Sequence, residues 1–139
     1  MKAFADVTAK YISQPWRKYP CMRLVYHVYR DLDIDVPDNF EDLTIYNYLS
    51  KFRVDPYGVQ IQMLKCVRSL GKPSTPATPK LADLLVVSQD LTKGRCIKPG
   101  FLSAIYVGRN SAVASFLRCG VMQFELDKYN RAIVARTMI

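Results

Sequence analysis

The chain has 139 residues, of which 50% are apolar or aromatic and 23% are charged. This length excludes a repeat array or a pair of independent catalytic domains, and this composition excludes an intrinsically disordered chain. Twenty Lys and Arg against twelve Asp and Glu leave a formal charge of +8, which favours an acidic or polyanionic partner without identifying one. No apolar run approaches the ~20 residues of a membrane span and no secretion signal opens the chain, so we expect synthesis in the cytoplasm.

The first clear element is a helix over residues 21–32. Apolar side chains recur there at spacings of three and four, which is the period of one helix face. Pro20 directly precedes this segment, at a point where helices tolerate proline. The pattern therefore places Cys21 at or near a helix N-terminus.

The next segments read as loop, helix and turn. A cluster of turn-forming residues around Pro37 predicts a loop, residues 43–52 predict a short helix, and residues 55–58 predict a turn. Residues 59–70 are helical or mixed, because their apolar residues also alternate as in a strand.

A proline-rich stretch, residues 71–80, divides the chain and predicts an extended, exposed internal loop. Short segments rich in β-branched and aromatic residues follow it and predict strands. Helices followed by an antiparallel sheet indicate one α+β domain over residues 1–139. The predicted strands are residues 81–89, 101–109, 111–117, 120–126 and 132–139.

Cysteine and histidine usage limits the metal chemistry that we expect. The four cysteines form no C-x-x-C pair, and His27 is the only histidine. Structural zinc sites draw on closely spaced Cys and His pairs, so we expect no metal and no cofactor. We predict that Cys66, Cys96 and Cys119 are free, buried thiols.

The order of these elements and several short motifs resemble NlpC-type papain-like cysteine peptidases, which cleave peptidoglycan stem peptides. Residues 21–38 are similar to the family's nucleophile helix and the loop after it. ADLLVV, residues 82–87, resembles its Gly-Asp-Leu strand, and AIYVGRN, residues 104–110, resembles its Gly-Ile-Tyr-Ile-Gly-Asn hairpin. Residues 120–129 and 133–136 are similar to its closing strands. The Pro-Asp after the helix and the Ala-Ile-Tyr-Val-Gly strand are most similar to siphophage tail-assembly proteins.

This resemblance implies a papain-like fold with N-terminal helices packed on a C-terminal antiparallel sheet, and it assigns three site positions. Cys21 stands at the nucleophile position, where a helix N-terminus and a neighbouring imidazole favour the thiolate. The position of the base histidine falls on Leu102, which cannot accept a proton, and the polar candidate near the orienting position is Ser115. Met22 and Arg23 replace the small Ser-Gly pair that follows the family's cysteine.

Three other side chains are considered as the base for Cys21. His27 lies six residues further along the helix, about 240° around its axis and roughly 9 Å along it, so it cannot reach the thiol of its own chain. Asp83 and Lys98 stay open as alternatives, although neither stands at a position that the resemblance marks as catalytic.

The resemblance and the missing base lead to one expected function and two alternatives. We expect a catalytically impaired NlpC-like domain that acts as a structural or interaction component of a bacteriophage tail tip, with tail proteins as partners and the virion as its location. The first alternative is an active cysteine peptidase that hydrolyses peptidoglycan during host entry, with peptidoglycan as its substrate. The second is a small basic nucleic-acid-binding protein.

Basic and aromatic residues around the first helix predict an interaction surface. Cations suit phosphates and tyrosines suit stacked bases, but no nucleic-acid-binding motif accompanies them. We therefore interpret the +8 charge as a docking surface for an acidic protein neighbour or the cell envelope. The predicted contact residues are Arg17, Lys18, Arg23, Tyr26 and Arg30.

Overall fold

The structure, a computed structural model, describes residues 3–19, 22–36, 56–89, 101–116 and 119–139. Its helices are α1 (Phe4–Tyr11), α2 (Met22–Asp31) and α3 (Pro56–Arg68). The helix expected over residues 21–32 is confirmed from Met22 onward. Cys21, the loop expected around Pro37 and the helix expected over residues 43–52 lie outside the described residues.

Two helical segments differ from the sequence prediction. Residues 55–58 were expected to form a turn, but α3 already begins at Pro56, because a proline at the first helical position loses no hydrogen bond. The next residues, whose apolar side chains alternate along the sequence as in a strand, also belong to α3. Helix α1 has no counterpart in the prediction, although its buried residues Val7 and Tyr11 follow a helical spacing.

The described strands form one sheet in the order β1-β6-β2-β3-β4-β5, and every pairing is antiparallel. The α+β class with an antiparallel sheet is therefore confirmed. Strand β1 lies inside the segment predicted as a loop over residues 71–80, so that prediction is wrong for residues 72–74, which pair with β6. The strands are β1 (Lys72–Ser74), β2 (Leu84–Gln89), β3 (Phe101–Gly108), β4 (Ser111–Phe116), β5 (Gly120–Glu125) and β6 (Asn130–Thr137).

Both faces of the sheet carry buried apolar side chains, because side chains alternate between faces along each strand. On the first face, β2, β3, β4 and β5 contact α2 and α3 through one continuous cluster that includes Leu84, Val86, Ile105, Val113 and Val121. On the second face, small and aliphatic residues form a separate cluster that includes Leu85, Val87, Ala104, Ala112 and Ala114. The buried apolar residues of all three described helices belong to the first-face cluster.

Helix α2 is joined to the sheet by a buried hydrogen bond. The Tyr29 hydroxyl donates to the carbonyl oxygen of Ala82 at 2.8 Å, two residues before β2 begins. Ala82 has a left-handed backbone, with φ of +67°, which is costly for a residue with a Cβ. Burial, and secondarily the charge of Asp83, raise the pKa of Tyr29 well above its usual value. The hydroxyl therefore stays protonated and able to donate at neutral pH.

The connector between α1 and α2 extends the sheet beyond β5. The Ser13 amide donates to the Val121 carbonyl, and the Val121 amide donates to the Gln14 carbonyl, both at 2.8 Å. Gly120 permits this close approach, because its φ is +76° and a Cβ on it would lie 2.4 Å from the Gln14 oxygen.

The β3–β4 hairpin closes through Arg109 and Asn110, with φ values of +51° and +57°. Two successive left-handed residues are the signature of a type I′ turn, which matches the twist of antiparallel strands. The Asn110 side chain also donates to the Leu126 carbonyl at 2.6 Å, which ties this turn to the end of β5.

We predict that Gly120→Ala destabilises the fold far more than Gly108→Ala. Both glycines have positive φ, so each alanine costs about 1 to 2 kcal/mol of backbone strain. At Gly108 the added Cβ only makes an ordinary contact with Leu81 at 3.6 Å, whereas at Gly120 it meets the backbone of Gln14. The free energies of urea unfolding should differ by roughly 2 kcal/mol. Equal losses would show that the connector does not dock against β5.

We predict that Tyr29→Phe lowers the free energy of unfolding by about 1 to 3 kcal/mol at neutral pH, because the buried Ala82 carbonyl loses its donor. Folding raises the pKa of Tyr29, so its hydroxyl stabilises the folded protein fully at pH values below the pKa of an unfolded tyrosine, about 10. This stabilisation is lost as the pH rises above that value. The gap between wild type and variant should therefore narrow above about pH 10 in urea titrations.

Tyr106→Phe is the matched control for Tyr29→Phe. The Tyr106 hydroxyl accepts a hydrogen bond from the Asn110 amide at an exposed site, at 3.0 Å. Its removal should cost less than about 1 kcal/mol, because water can replace the bond. A loss for Tyr29→Phe no larger than this control, or a gap that widens with pH, would contradict the role of the buried hydroxyl.

Candidate functional site

The structure describes two of the three positions that the resemblance marks as catalytic, Leu102 and Ser115, and these two do not come together. Cys21 lies outside the described residues. The residue after it, Met22, is the first of α2 and is buried in the first-face cluster. Leu102 and Ser115 are both described, and they lie on opposite faces of the sheet.

Leu102 belongs to the second face. It is half-buried and packs against the second-face cluster, and its partner across the ladder to β2 is the fully buried Val87. Its neighbour Ala104 is also fully buried in that cluster. Position 102 therefore has apolar surroundings. The leucine side chain itself has no lone pair that could accept a proton.

Ser115 lies on the first face of the sheet. Its partner across the β4–β5 ladder, Val121, belongs to the first-face cluster, and its neighbour Ala114 belongs to the second-face cluster. Its side chain is buried, with 8% of the residue exposed. In the described part of the chain its hydroxyl has no hydrogen-bond partner. An orienting group acts by hydrogen bonding to the base, so the surroundings of Ser115 include no described group that it orients.

His27 lies in an aromatic group on α2. Its ring centroid is 5.2 Å from that of Tyr19 and 5.6 Å from that of Tyr26, and both pairs are edge-to-face. The ring is half-buried among these tyrosines.

Asp83, the alternative base, is held in a turn. Its carboxylate is buried and accepts hydrogen bonds from the Ser74 hydroxyl and the Lys80 amide, each at 2.9 Å. The Asp83 amide donates in return to the Lys80 carbonyl. These contacts fix the turn between β1 and β2, which is a structural role. Lys98, the other alternative, lies outside the described residues.

The predicted interaction residues all lie on α2 or on the connector before it. Arg17, Lys18 and Arg30 are exposed, whereas Arg23 and Tyr26 are half-buried. The Lys18 ammonium lies 5.6 Å from the ring centroid of Tyr19, and the Arg30 guanidinium lies 5.8 Å from that of Tyr26. The structure therefore joins Lys18, Tyr26 and Arg30 to the aromatic group around His27.

Sequence reasoning missed Tyr11 and Lys10, which contact this surface. Tyr11 and Tyr19 pack edge-to-face with centroids 4.9 Å apart, and Lys10 lies over Tyr11 at 5.2 Å. The Tyr11 hydroxyl donates to Asp31, and burial together with that carboxylate raises the pKa of Tyr11 above its usual range. Lys10 forms an ion pair with the same carboxylate at 3.1 Å. The helical spacing of Phe4, Val7 and Tyr11 is the signal that could have revealed α1.

The thiols differ from the sequence prediction. Cys119 is exposed and Cys66 is intermediate, so the expected burial of both is wrong, and Cys96 lies outside the described residues. Cys119 is exposed because it sits in the turn that leads into β5, and not on a strand face. Within the described ranges, no group of His, Cys, Asp and Glu could hold a metal ion, and no helix is long and apolar enough to cross a membrane.

No protein-family model matches the chain, and no curated protein matches it.

We predict that Ser115→Ala is neutral or stabilises the fold by up to about 1 kcal/mol, because it removes a buried hydroxyl without a partner. The control, Ser74→Ala, should cost about 1 to 2 kcal/mol, because it removes a donor to the buried Asp83 carboxylate. Urea unfolding of the two variants measures both. A loss at Ser115 as large as that at Ser74 would show that this hydroxyl has a partner to orient.

Proposed function

We propose that this chain is a catalytically impaired NlpC-like domain that acts as a structural or interaction component, with a bacteriophage tail tip as its setting. The observation that carries the proposal is the apolar character of position 102. The resemblance places the base histidine at this position, but the chain has a leucine there, and it packs against the cluster of Leu85, Val87 and Ala104.

The chemistry of cysteine hydrolysis supports this proposal. A thiol becomes a strong nucleophile when a neighbouring base or cation favours its thiolate. The single histidine of the chain packs against Tyr19 and Tyr26, and Asp83 is committed to Ser74 and Lys80. Both described candidates for a replacement base, His27 and Asp83, therefore contact other groups.

The fold is compatible with the resemblance at a coarse level. A buried helix begins at Met22, next to the cysteine that the resemblance marks, and the sheet follows it in the chain. The motif AIYVGRN spans the end of β3 and the type I′ turn after it. The papain-like arrangement and the phage setting rest on the sequence motifs.

A role in assembly also suits the charge distribution. Outside the Lys10–Asp31 pair, no ion pair connects the described residues, so most described cations face solvent without a carboxylate. Exposed unpaired cations contribute little to folding, but they steer and anchor an acidic partner. The partners that we propose are neighbouring proteins of a larger assembly.

The proposal predicts an ordinary or inaccessible thiol at Cys21. The test compares two variants, one that keeps only Cys21 and one that keeps only the exposed Cys119, each with the other three cysteines replaced by serine. Iodoacetamide alkylation of both should rise with pH around the ordinary thiol pKa of about 8.5. A Cys21 that fails to react in the folded protein supports the proposal too, because a nucleophile needs access.

The opposite result is a Cys21 that alkylates at full rate well below neutral pH while Cys119 does not. Such a thiol is held as thiolate by a partner, which is the state of a working nucleophile. That outcome would overturn the proposal and favour the active peptidase.

A further inference from the structure

Four rings on α1, α2 and their connector form a continuous aromatic row. Tyr11 contacts Tyr19, Tyr19 contacts His27, and His27 contacts Tyr26, with centroid distances between 4.9 and 5.6 Å. All three contacts are edge-to-face, with interplanar angles of 79° to 88°. Tyr11 is buried and anchors one end of the row, whereas Tyr19, His27 and Tyr26 are half-buried and partly exposed to solvent. We call these four residues the ring row.

Two exposed cations lie over the ring row without a carboxylate partner. The Lys18 ammonium lies over the Tyr19 ring and the Arg30 guanidinium lies over the Tyr26 ring. Across the described ranges, Lys10 forms an ion pair with Asp31, whereas Lys18 and Arg30 form none. Both side chains are therefore positioned by a cation–π contact while their N–H donors stay available.

This positioning favours binding of a carboxylate-rich segment. A long cationic side chain loses rotamer freedom when it binds, and a ring that already holds it reduces that cost. Guanidinium and ammonium groups form their strongest hydrogen bonds with carboxylates and phosphates. The tyrosine rings beside them add apolar contact area, which is the composition of interface hot spots.

The same geometry disfavours single-stranded nucleic acid. Bases bind such proteins by stacking on open aromatic faces. Here Lys18 covers a face of Tyr19 and Arg30 covers a face of Tyr26, and the neighbouring rings pack edge-to-face against them. The ring row therefore lacks a free platform for stacking, and its exposed donors suit an acidic protein.

We infer that the ring row, with Lys18 and Arg30, is the docking site for an acidic segment of a partner protein, whose carboxylates bind these two cations. This inference rests on the proposed interaction role and names its surface and the chemistry of its partner. It does not depend on the state of Cys21, so the thiol experiment and the binding experiment can fail separately.

The test uses the full chain and two fluorescent probes, an oligoglutamate peptide and an oligo-dT strand of equal charge, with anisotropy measured at about 0.15 M salt. The site variant is Lys18→Gln with Arg30→Gln. The control is Lys128→Gln with Arg131→Gln, which removes the same charge from the β5–β6 turn and β6 and includes a lysine 5.0 Å from the ring centroid of Tyr129. Circular dichroism should show that both variants are folded, since all four side chains are exposed.

The oligoglutamate peptide should bind the wild type, and the site variant should weaken this binding about tenfold, equivalent to about 1.4 kcal/mol, while the control changes it less than about twofold. The oligo-dT strand should lose affinity equally in both variants, because it responds to total charge. No peptide binding, an equal loss in both variants, or a selective loss confined to oligo-dT would overturn the inference. The last of these outcomes would identify a nucleic-acid site.

Discussion

The hydrogen bond from the Tyr29 hydroxyl to the Ala82 carbonyl is the contact on which the arrangement of helices and sheet depends. It joins α2, the most deeply buried described helix, to Ala82, two residues before β2 begins. Strand β2 lies between β6 and β3, and Asp83 beside Ala82 holds the turn that leads from β1. One buried donor thus orients the helix, the turn and the middle of the sheet, and the left-handed backbone of Ala82 is stabilised where it would otherwise be strained.

This arrangement places α2 and Leu102 on opposite faces of the sheet. The buried residues of α2 contact the first face, whereas Leu102 packs on the second face among small apolar side chains. The histidine lies within the ring row, beside exposed cations and not beside a described thiol. Both features agree with the interaction role that we propose. Helix α2 contributes Tyr29 to the core and also carries Tyr26 and Arg30, so folding positions the proposed interface.

The sequence predicted the fold where one periodicity dominated and failed where local signals competed. The three- and four-residue spacing after Cys21 and the β-branched runs after residue 80 predicted α2 and β2 to β6. The sequence predicts a turn at Pro56, although proline also suits the first position of a helix. Lys72–Ser74 forms a strand because it pairs with β6, and its own sequence does not indicate this partner. The sequence alone shows a leucine at position 102, where the resemblance implies a histidine. The ring row could not be predicted from the sequence, because it joins residues from three segments. The face on which Leu102 lies could not be predicted either, because it depends on the strand register.

We propose that this chain binds a partner and does not cleave peptidoglycan. The most direct measurement is the number of new amino termini released from purified peptidoglycan by the intact chain and by Cys21→Ser over a long incubation. We expect both proteins to release no more than buffer alone, because a leucine occupies the position that the resemblance assigns to the base. Release by the intact chain that disappears in Cys21→Ser would contradict it and show that a working base faces this thiol.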